Sequence, residues 1–420
     1  MNIYILILTL IFTACMKTEK YPNPKRDDQF DNYHGTEVHD PYRWMEDLNH
    51  PDLKNWIKAE NDLTKSVLDT IPEKEIFKNS LEELQNYAKK GMPYIRGDKD
   101  FYYKNDGMQD QYVLYVKENG KERVLIDPNQ KSNDGIISIG FISLNKDGSL
   151  MAYGQSNAGS DWTDIYVMDV ATGKVHDEVL TWVKFSGVDW SPESEGFYYS
   201  RYPEPIEGKE YENKNNNQKL YFHKLNTPQE NDTLIYEDTE NPEYSPYTII
   251  TNDYKYLILG KWHGTSKNNT MYYRELGSKK EFKPLMDEWI ASLSFVGNDG
   301  DIFYFLTDLN APKNRLIAMD IKKPNLENWV DIIPEKEDVL TSVRLISNQF
   351  IVEYRKDVAE RIEIYAIDDN VYESTETFYL KMTNVKSGPG RIVNDSIGFS
   401  IIDNDPPKVS FTIDKTEIDE

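Results

Sequence analysis

The stretch Met151–Lys174, MAYGQSNAGSDWTDIYVMDVATGK, can be read in two ways. Gly154, a spacer, Ser156 and a run of small residues outline the turn that presents a serine nucleophile. The alternative is a strand, a short polar turn and a second strand. A nucleophile turn needs a tight strand-to-helix bend, with glycine two residues before and two after the serine. The second of those positions is Ala158, and SDWTDIYVMDV runs on with the alternation of a strand. The sequence therefore favours strand–turn–strand, with Ser156 in a structural loop.

Working outward, the same unit recurs. DKDFYYKND, DGSLMAYGQS, SEGFYYSRYP, DYKYLILGKW, GDIFYFLTDL and NQFIVEYRKD are each a turn followed by an aromatic strand. They lie at intervals of roughly 46–59 residues between about residues 98 and 357. A second strand ending in a polar turn usually follows, as in DIYVMDVATGK, KLYFHKLNTPQ, TMYYRELGSKK and RLIAMDIKKPN. A period in the forties with about four short strands per unit is the pattern of a β-propeller. An ordinary β-sandwich with chance spacing is the competing reading. Before the repeats, Asp47–Leu84 reads as helical: Leu53, Trp56, Ile57, Leu63 and Val67 fall near helical spacing, and Asp52 after Pro51 helps to start the run. After about residue 360 the blade pattern stops.

The chain has 420 residues, 13% of them aromatic, and a net charge of −24. Such composition suits a strand-rich globular protein, and such charge repels phosphate backbones, so no nucleic-acid partner is expected. At the N-terminus, MNIYILILTLIFTACMK holds an apolar run from Ile3 to Phe12, too short to span a bilayer but suited to a signal peptide. Cys15, the only cysteine, stands where a bacterial lipoprotein carries its acyl group. Phe12 replaces the usual aliphatic residue, and no Lys or Arg precedes the run. An ordinary signal peptide and a retained anchor are the other readings. The expectation is a signal over residues 1–15, lipidation at Cys15, membrane contact only through that lipid, and a place in the bacterial cell envelope, periplasmic or outer-surface.

VHDPYRWMED (Val38–Asp47), YYKNDGMQDQYVLY (Tyr102–Tyr115), LIDPN (Leu125–Asn129), YGQSNAGSDW (Tyr153–Trp162) and VKFSGVDWSPESEGFYYSRYP (Val183–Pro203) resemble the N-terminal part of prolyl oligopeptidases, over about Tyr33 to Ile367. The resemblance implies a seven-bladed propeller that covers an α/β-hydrolase domain cleaving short peptides after proline, with no cofactor at the propeller. It makes the early helices a surface packed on that catalytic domain. It implies that Phe185 lines the proline-binding region, and that the catalytic serine, aspartate and histidine lie in sequence not present here. None of His34, His39, His50, His176, His223 and His263 follows the family's late-chain arrangement. The expected fold is mainly β: a helical segment at 30–85, then an incomplete seven-bladed-type propeller of about five blades and part of a sixth at 86–360.

The tail resembles a second module, the Calx-beta repeat, through DDNVYESTETF and IIDNDPPKVSF. It implies a partial immunoglobulin-like β-sandwich at 361–407 and the start of a second repeat at 408–420. Calcium takes six to eight oxygens, mostly carboxylate and backbone carbonyl. The resemblance would draw them from Asp368, Asp369, Glu373, Glu376, Asp403 and Asp405, with the carbonyl of Val371. Three functional readings follow: the propeller half of a prolyl oligopeptidase-type serine endopeptidase, a non-catalytic calcium-binding surface lipoprotein, or two joined genes.

Overall fold

The computed structural model describes residues 21–132, 135–208, 210, 214–346 and 349–366, together with the backbone of 376–381, 396–401 and 409–411. The chain divides into two units, Met1–Tyr87 and Ala88–Glu420.

In the first unit, strands Phe30–Tyr33 and Thr36–His39 form a hairpin. Its turn is set by His34 and Gly35, both at positive φ, and the Gly35 N–H donates to Asn32 Oδ1 at 2.8 Å. Trp44 sits buried in the 3-10 turn Arg43–Glu46, and its indole N–H donates to the Lys25 carbonyl at 3.1 Å. The helical run resolves into two helices, α1 (Pro51–Leu68) and α2 (Glu73–Gln85). The start of α1 has a proline in its first turn and an imidazole cap, His50 Nδ1 accepting from the Asp52 N–H at 3.2 Å. The break falls before Pro72, which cannot continue a helix but can begin the next. α1 buries Leu53; α2 buries nothing, and Ile76, Phe77, Leu81 and Leu84 stand exposed along it.

The second unit is built from six antiparallel blades, five of four strands and the first of five. The first comprises Lys89–Lys90, Lys99–Asn105, Val113–Glu118 and Lys121–Ile126, with Tyr94–Arg96 also paired to its second strand. The second is Ile137–Leu144, Leu150–Asn157, Thr163–Asp169 and Val175–Val183. The third is Asp189–Trp190, Gly196–Arg201, Lys219–Lys224 and Thr233–Tyr236. The fourth is Tyr244–Ile250, Tyr256–His263, Thr270–Glu275 and Lys283–Met286. The fifth is Leu293–Asp299, Ile302–Thr307, Arg315–Asp320 and Val330–Ile333. The sixth is Val339–Ile346, Gln349–Lys356, Ala359–Ala366 and, after an excursion, Val409–Phe411.

No single blade buries both its faces alone, so stacking supplies the core. Five apolar clusters lie between successive blades. One joins Phe101 and Leu114 to Met151 and Tyr153; another joins Ile258 and Met271 to Phe303 and Phe305. The remaining three fill the second–third, third–fourth and fifth–sixth interfaces. Hydrogen bonds between blades repeat the same spacing. Ser143 Oγ to the Val188 carbonyl, Trp190 Nε1 to the Ser143 carbonyl, Ser200 Oγ to the Pro246 carbonyl and Tyr273 OH to the Ile321 carbonyl join residues 45, 47, 46 and 48 apart. The longer span from Thr248 to Asp189, 59 residues, reflects the long loop inside the third blade.

Two expectations are corrected here. The described propeller has six blades, not five and part of a sixth and not the family's seven, because Val339–Ala366 forms three strands of a further sheet. Ala359–Ala366 pairs along its whole length with Gln349–Lys356, so the pattern change near residue 360 falls inside a paired strand. Its own sequence, AERIEIYA, lacks the aromatic signature of the other blades. The partial sandwich is not seen among the described residues. What is described there is the hairpin Glu376–Lys381 with Ser396–Ile401, and Val409–Phe411 pairs with the sixth blade instead of opening a new module.

Candidate functional site

Ser156 ends the second strand of the second blade, and its hydroxyl lies 2.9 Å from that of Ser138 on the neighbouring strand. Ala158 and Gly159, at φ 51° and 72°, then reverse the chain into Thr163–Asp169. No helix follows and the hydroxyl's partner is another serine, so the loop reading of this stretch holds.

Strand direction puts the connections that follow the second and fourth strands of every blade at one end of the propeller. Aromatic side chains gather there across the second, third and fourth blades. Trp162 donates its indole N–H to the Glu210 carbonyl at 3.0 Å and meets Trp182 and Tyr202 edge-on, at 5.7 and 6.2 Å between ring centres. The Lys184 ammonium lies 4.1 Å from the centre of the Trp162 ring and 3.2 Å from Asn215 Oδ1. This places a buried cation on an aromatic face.

The segment between Trp182 and Phe185 is held in an uncommon backbone. Both residues have left-handed φ values, 60° and 54°. Bulky side chains rarely adopt that conformation unless the surroundings fix it. The fixing contacts are the Tyr202 N–H to the Trp182 carbonyl at 3.0 Å and Gln218 Nε2 to the Lys184 carbonyl at 2.8 Å. The result is that Phe185 stands half out of the surface, 51% exposed, with an edge contact to Trp262 of the fourth blade at 6.0 Å. An exposed phenyl ring that the backbone is bent to present is suited to a ligand's apolar ring.

Beside it, Lys261 reaches Asp238 Oδ2 at 3.1 Å, both side chains being 10% exposed. Burial works against both charges, yet the mutual hydrogen bond holds Asp238 below and Lys261 above their ordinary values. Asp238 also accepts the Asn241 N–H at 3.0 Å, bracing the third-to-fourth blade connection. Tyr244, His263 and Trp289 extend the aromatic surface, with ring separations of 4.8–6.2 Å. The face is rich in aromatic rings, and among the described residues it holds no paired nucleophile and base.

Of the site residues read from sequence, Phe185 is placed in this surface. Its ring partner Trp262, and Trp162, Trp182 and Lys184 on the same face, were not foreseen. The motif VKFSGVDW carries Phe185, but the left-handed turn that joins it to Trp262 depends on contacts from 202–218 and leaves no local signal. Cys15, Asp368, Asp369, Val371, Glu373, Asp403 and Asp405 lie outside the described residues, and Glu376 is described by its backbone alone. Among the described residues no group of three His, Cys, Asp or Glu side chains could hold a metal ion, and no helix is long and apolar enough to cross a membrane.

Residues 21–404 match the family model for the prolyl oligopeptidase N-terminal β-propeller domain. The prolyl endopeptidase of Elizabethkingia meningoseptica is 38% identical over 347 residues, covering 82% of this chain and 49% of the relative. Among solved structures, a prolyl endopeptidase superposes with a TM-score of 0.75 at 29% identity, over 83% of this chain and 51% of the other. Prolyl oligopeptidase B from Galerina marginata, bound to a 35mer hydrolysis and macrocyclization substrate, gives 0.74 at 27% identity, over 86% and 55%. The chain thus spans about half the length of the proteins it matches. With motif, blade architecture and overall similarity in agreement, it belongs to the prolyl oligopeptidase family, in the part that forms the N-terminal β-propeller.

Proposed function

We propose that this chain is the substrate-gating propeller of a prolyl oligopeptidase-type serine endopeptidase acting on short proline-containing peptides. The observation that carries this reading is Phe185, exposed on a strained turn and set edge-on to Trp262 at the loop end of the propeller. In this reading the covalent step belongs to the serine, aspartate and histidine of the family's hydrolase domain. The propeller supplies an apolar contact near the proline ring and limits access by size. The exposed apolar row of α2 is the surface that would pack on that domain.

The test is a fusion of residues 21–366 to the remaining half of the Elizabethkingia meningoseptica prolyl endopeptidase. Losing one aromatic contact removes about 0.5–1.5 kcal/mol, which is about 2–13-fold. Phe185→Ala is expected to raise KM for a fluorogenic Gly-Pro peptide by that factor with little change in kcat, as loss of uniform binding does. An unchanged KM would exclude Phe185 from the substrate site. On the sequence alone, the apolar run ending at Thr13-Ala14-Cys15 supports a lipid at Cys15 and an envelope location. A fatty-acid probe in a bacterial host should label the wild type but not Cys15→Ser.

A further inference from the structure

By strand direction, Arg274 and the Leu276–Phe282 turn of the fourth blade belong to the end opposite Phe185. Two cavities open side by side there, between the third and fourth blades, with volumes of about 710 and 410 Å³. They share Ile235, Arg274 and Lys279 as lining residues. Both volumes fall in the roughly 300–1,000 Å³ range of small-molecule sites.

Arg274 has an unusual environment for a chain of net charge −24. Its guanidinium lies 4.3 Å from the centre of the Phe282 ring. Its Nε is buried without a hydrogen-bond partner, and Nη1 reaches only the Lys280 carbonyl, at 3.5 Å. Among the described residues it forms no ion pair with a carboxylate. The acids on the cavity walls are Glu195, which accepts the Ser191 hydroxyl at 2.8 Å, and Glu281. Lys261, at the far wall of the smaller cavity, is matched by Asp238. Burial draws Arg274 below its ordinary value, the direction expected of a cation without a counter-charge.

A buried donor left unpaired is costly, and a guanidinium fork fits an oxyanion in two-point geometry. The walls beside it are apolar and aromatic, through Phe222, Leu234, Ile235 and Phe282. We infer that this cleft binds a small ligand with an oxyanion, carboxylate or phosphate, on an apolar body: the anion meets Arg274, with Lys279 and Lys280 at the rim, and the body lies on the apolar walls. The anion end of this cleft, at Arg274, lies away from Phe185, while its far wall at Lys261 reaches the aromatic surface; the inference does not depend on the peptidase reading.

Thermal unfolding of the full chain at constant ionic strength tests it, with N-acetylphenylalanine, phenyl phosphate and the neutral N-acetylphenylalanine amide as probes at about 10 mM. Binding to the native state alone raises the midpoint by mass action, here by about 2 °C or more. The expected result is a rise with one or both acids and none with the amide; which acid acts separates carboxylate from phosphate. Arg274→Gln should lose the response, Arg274→Lys should keep a reduced one, and Arg344→Gln, an exposed cation elsewhere, should keep it whole. An equal rise with the amide, no rise with either acid, or an undiminished response in Arg274→Gln would overturn the inference. If Arg274→Gln does not fold, the acid-against-amide comparison on the wild type decides alone.

Discussion

Two buried acids show how much a single side chain contributes here. Asp189, on the short first strand of the third blade, accepts the Thr248 hydroxyl at 2.6 Å across the blade interface. Burial pushes its carboxyl up to about 6, against the smaller opposing effect of that hydrogen bond. Between the unfolded value near 3.8 and about 6, the native state holds the proton more tightly than the unfolded state. Stability therefore falls as pH rises through that window and levels off above it. Asp189→Asn keeps an acceptor for Thr248 and removes the titration. It is expected to match the wild type near pH 4 and to exceed it by up to about 3 kcal/mol above pH 7 in urea titrations. The same difference at both pH values would refute this account of Asp189. Asp232 is the opposite case, an acid enclosed by its partners. His223 Nδ1 lies 2.7 Å from one oxygen, and the Tyr199 hydroxyl donates to the other at 2.6 Å. Asp232→Ala strands both partners and is expected to destabilise by about 2–5 kcal/mol, read from the urea midpoint. None of these pairings was legible in the sequence, because each joins residues from different strands or blades. Ser156 was legible, since the missing glycine at 158 and the strand that follows are local features.

Elements were the most readable scale. Aromatic strands bounded by turn clusters identified the first five blades and part of the sixth, whose extent was underestimated where its third strand turns charged. The glycines within strands were not interpreted from sequence, and the structure gives their reason. Gly154 pairs across the sheet with Phe141 and Gly260 with Tyr247, so in two blades an aromatic ring lies over a bare backbone. A Cβ on Gly260 would come within 2.2 Å of the Tyr247 ring, whose hydroxyl accepts from Asn269 Nδ2 at 3.1 Å. Gly260→Ala must displace that ring and is expected to destabilise by about 1–3 kcal/mol, with Gly277→Asn in an open turn as a near-neutral control. The helices make a further prediction. Ile76, Phe77, Leu81 and Leu84 are 58–69% exposed on α2. A contiguous apolar surface of this kind drives association. The chain is expected to elute as oligomers in light-scattering chromatography, and Phe77→Glu with Leu81→Glu to shift it towards monomer.

At the scale of the whole molecule, the repeat period is written twice, once in the sequence, where it alone pointed to a propeller, and once in the inter-blade hydrogen bonds, which repeat it. Stacking then places five apolar clusters between six blades and leaves the loops free to vary, which is why the loop face around Phe185 was the least legible part. Its turn from Trp182 to Phe185 is held by Tyr202 and Gln218 and meets Trp262 of the fourth blade. On the proposed reading, function at this scale would rest on the propeller presenting Phe185 to a peptide held by a hydrolase domain. The most direct measurement is the rate at which the fusion of residues 21–366 to the Elizabethkingia half cleaves fluorogenic Gly-Pro and Gly-Ala peptides, beside the hydrolase half alone. The expected result is cleavage after proline by the fusion, little by the half alone, and a Phe185→Ala variant weakened for the Gly-Pro peptide through KM. A correctly folded fusion that does not cleave after proline, or that cleaves it equally well without Phe185, would contradict the assignment.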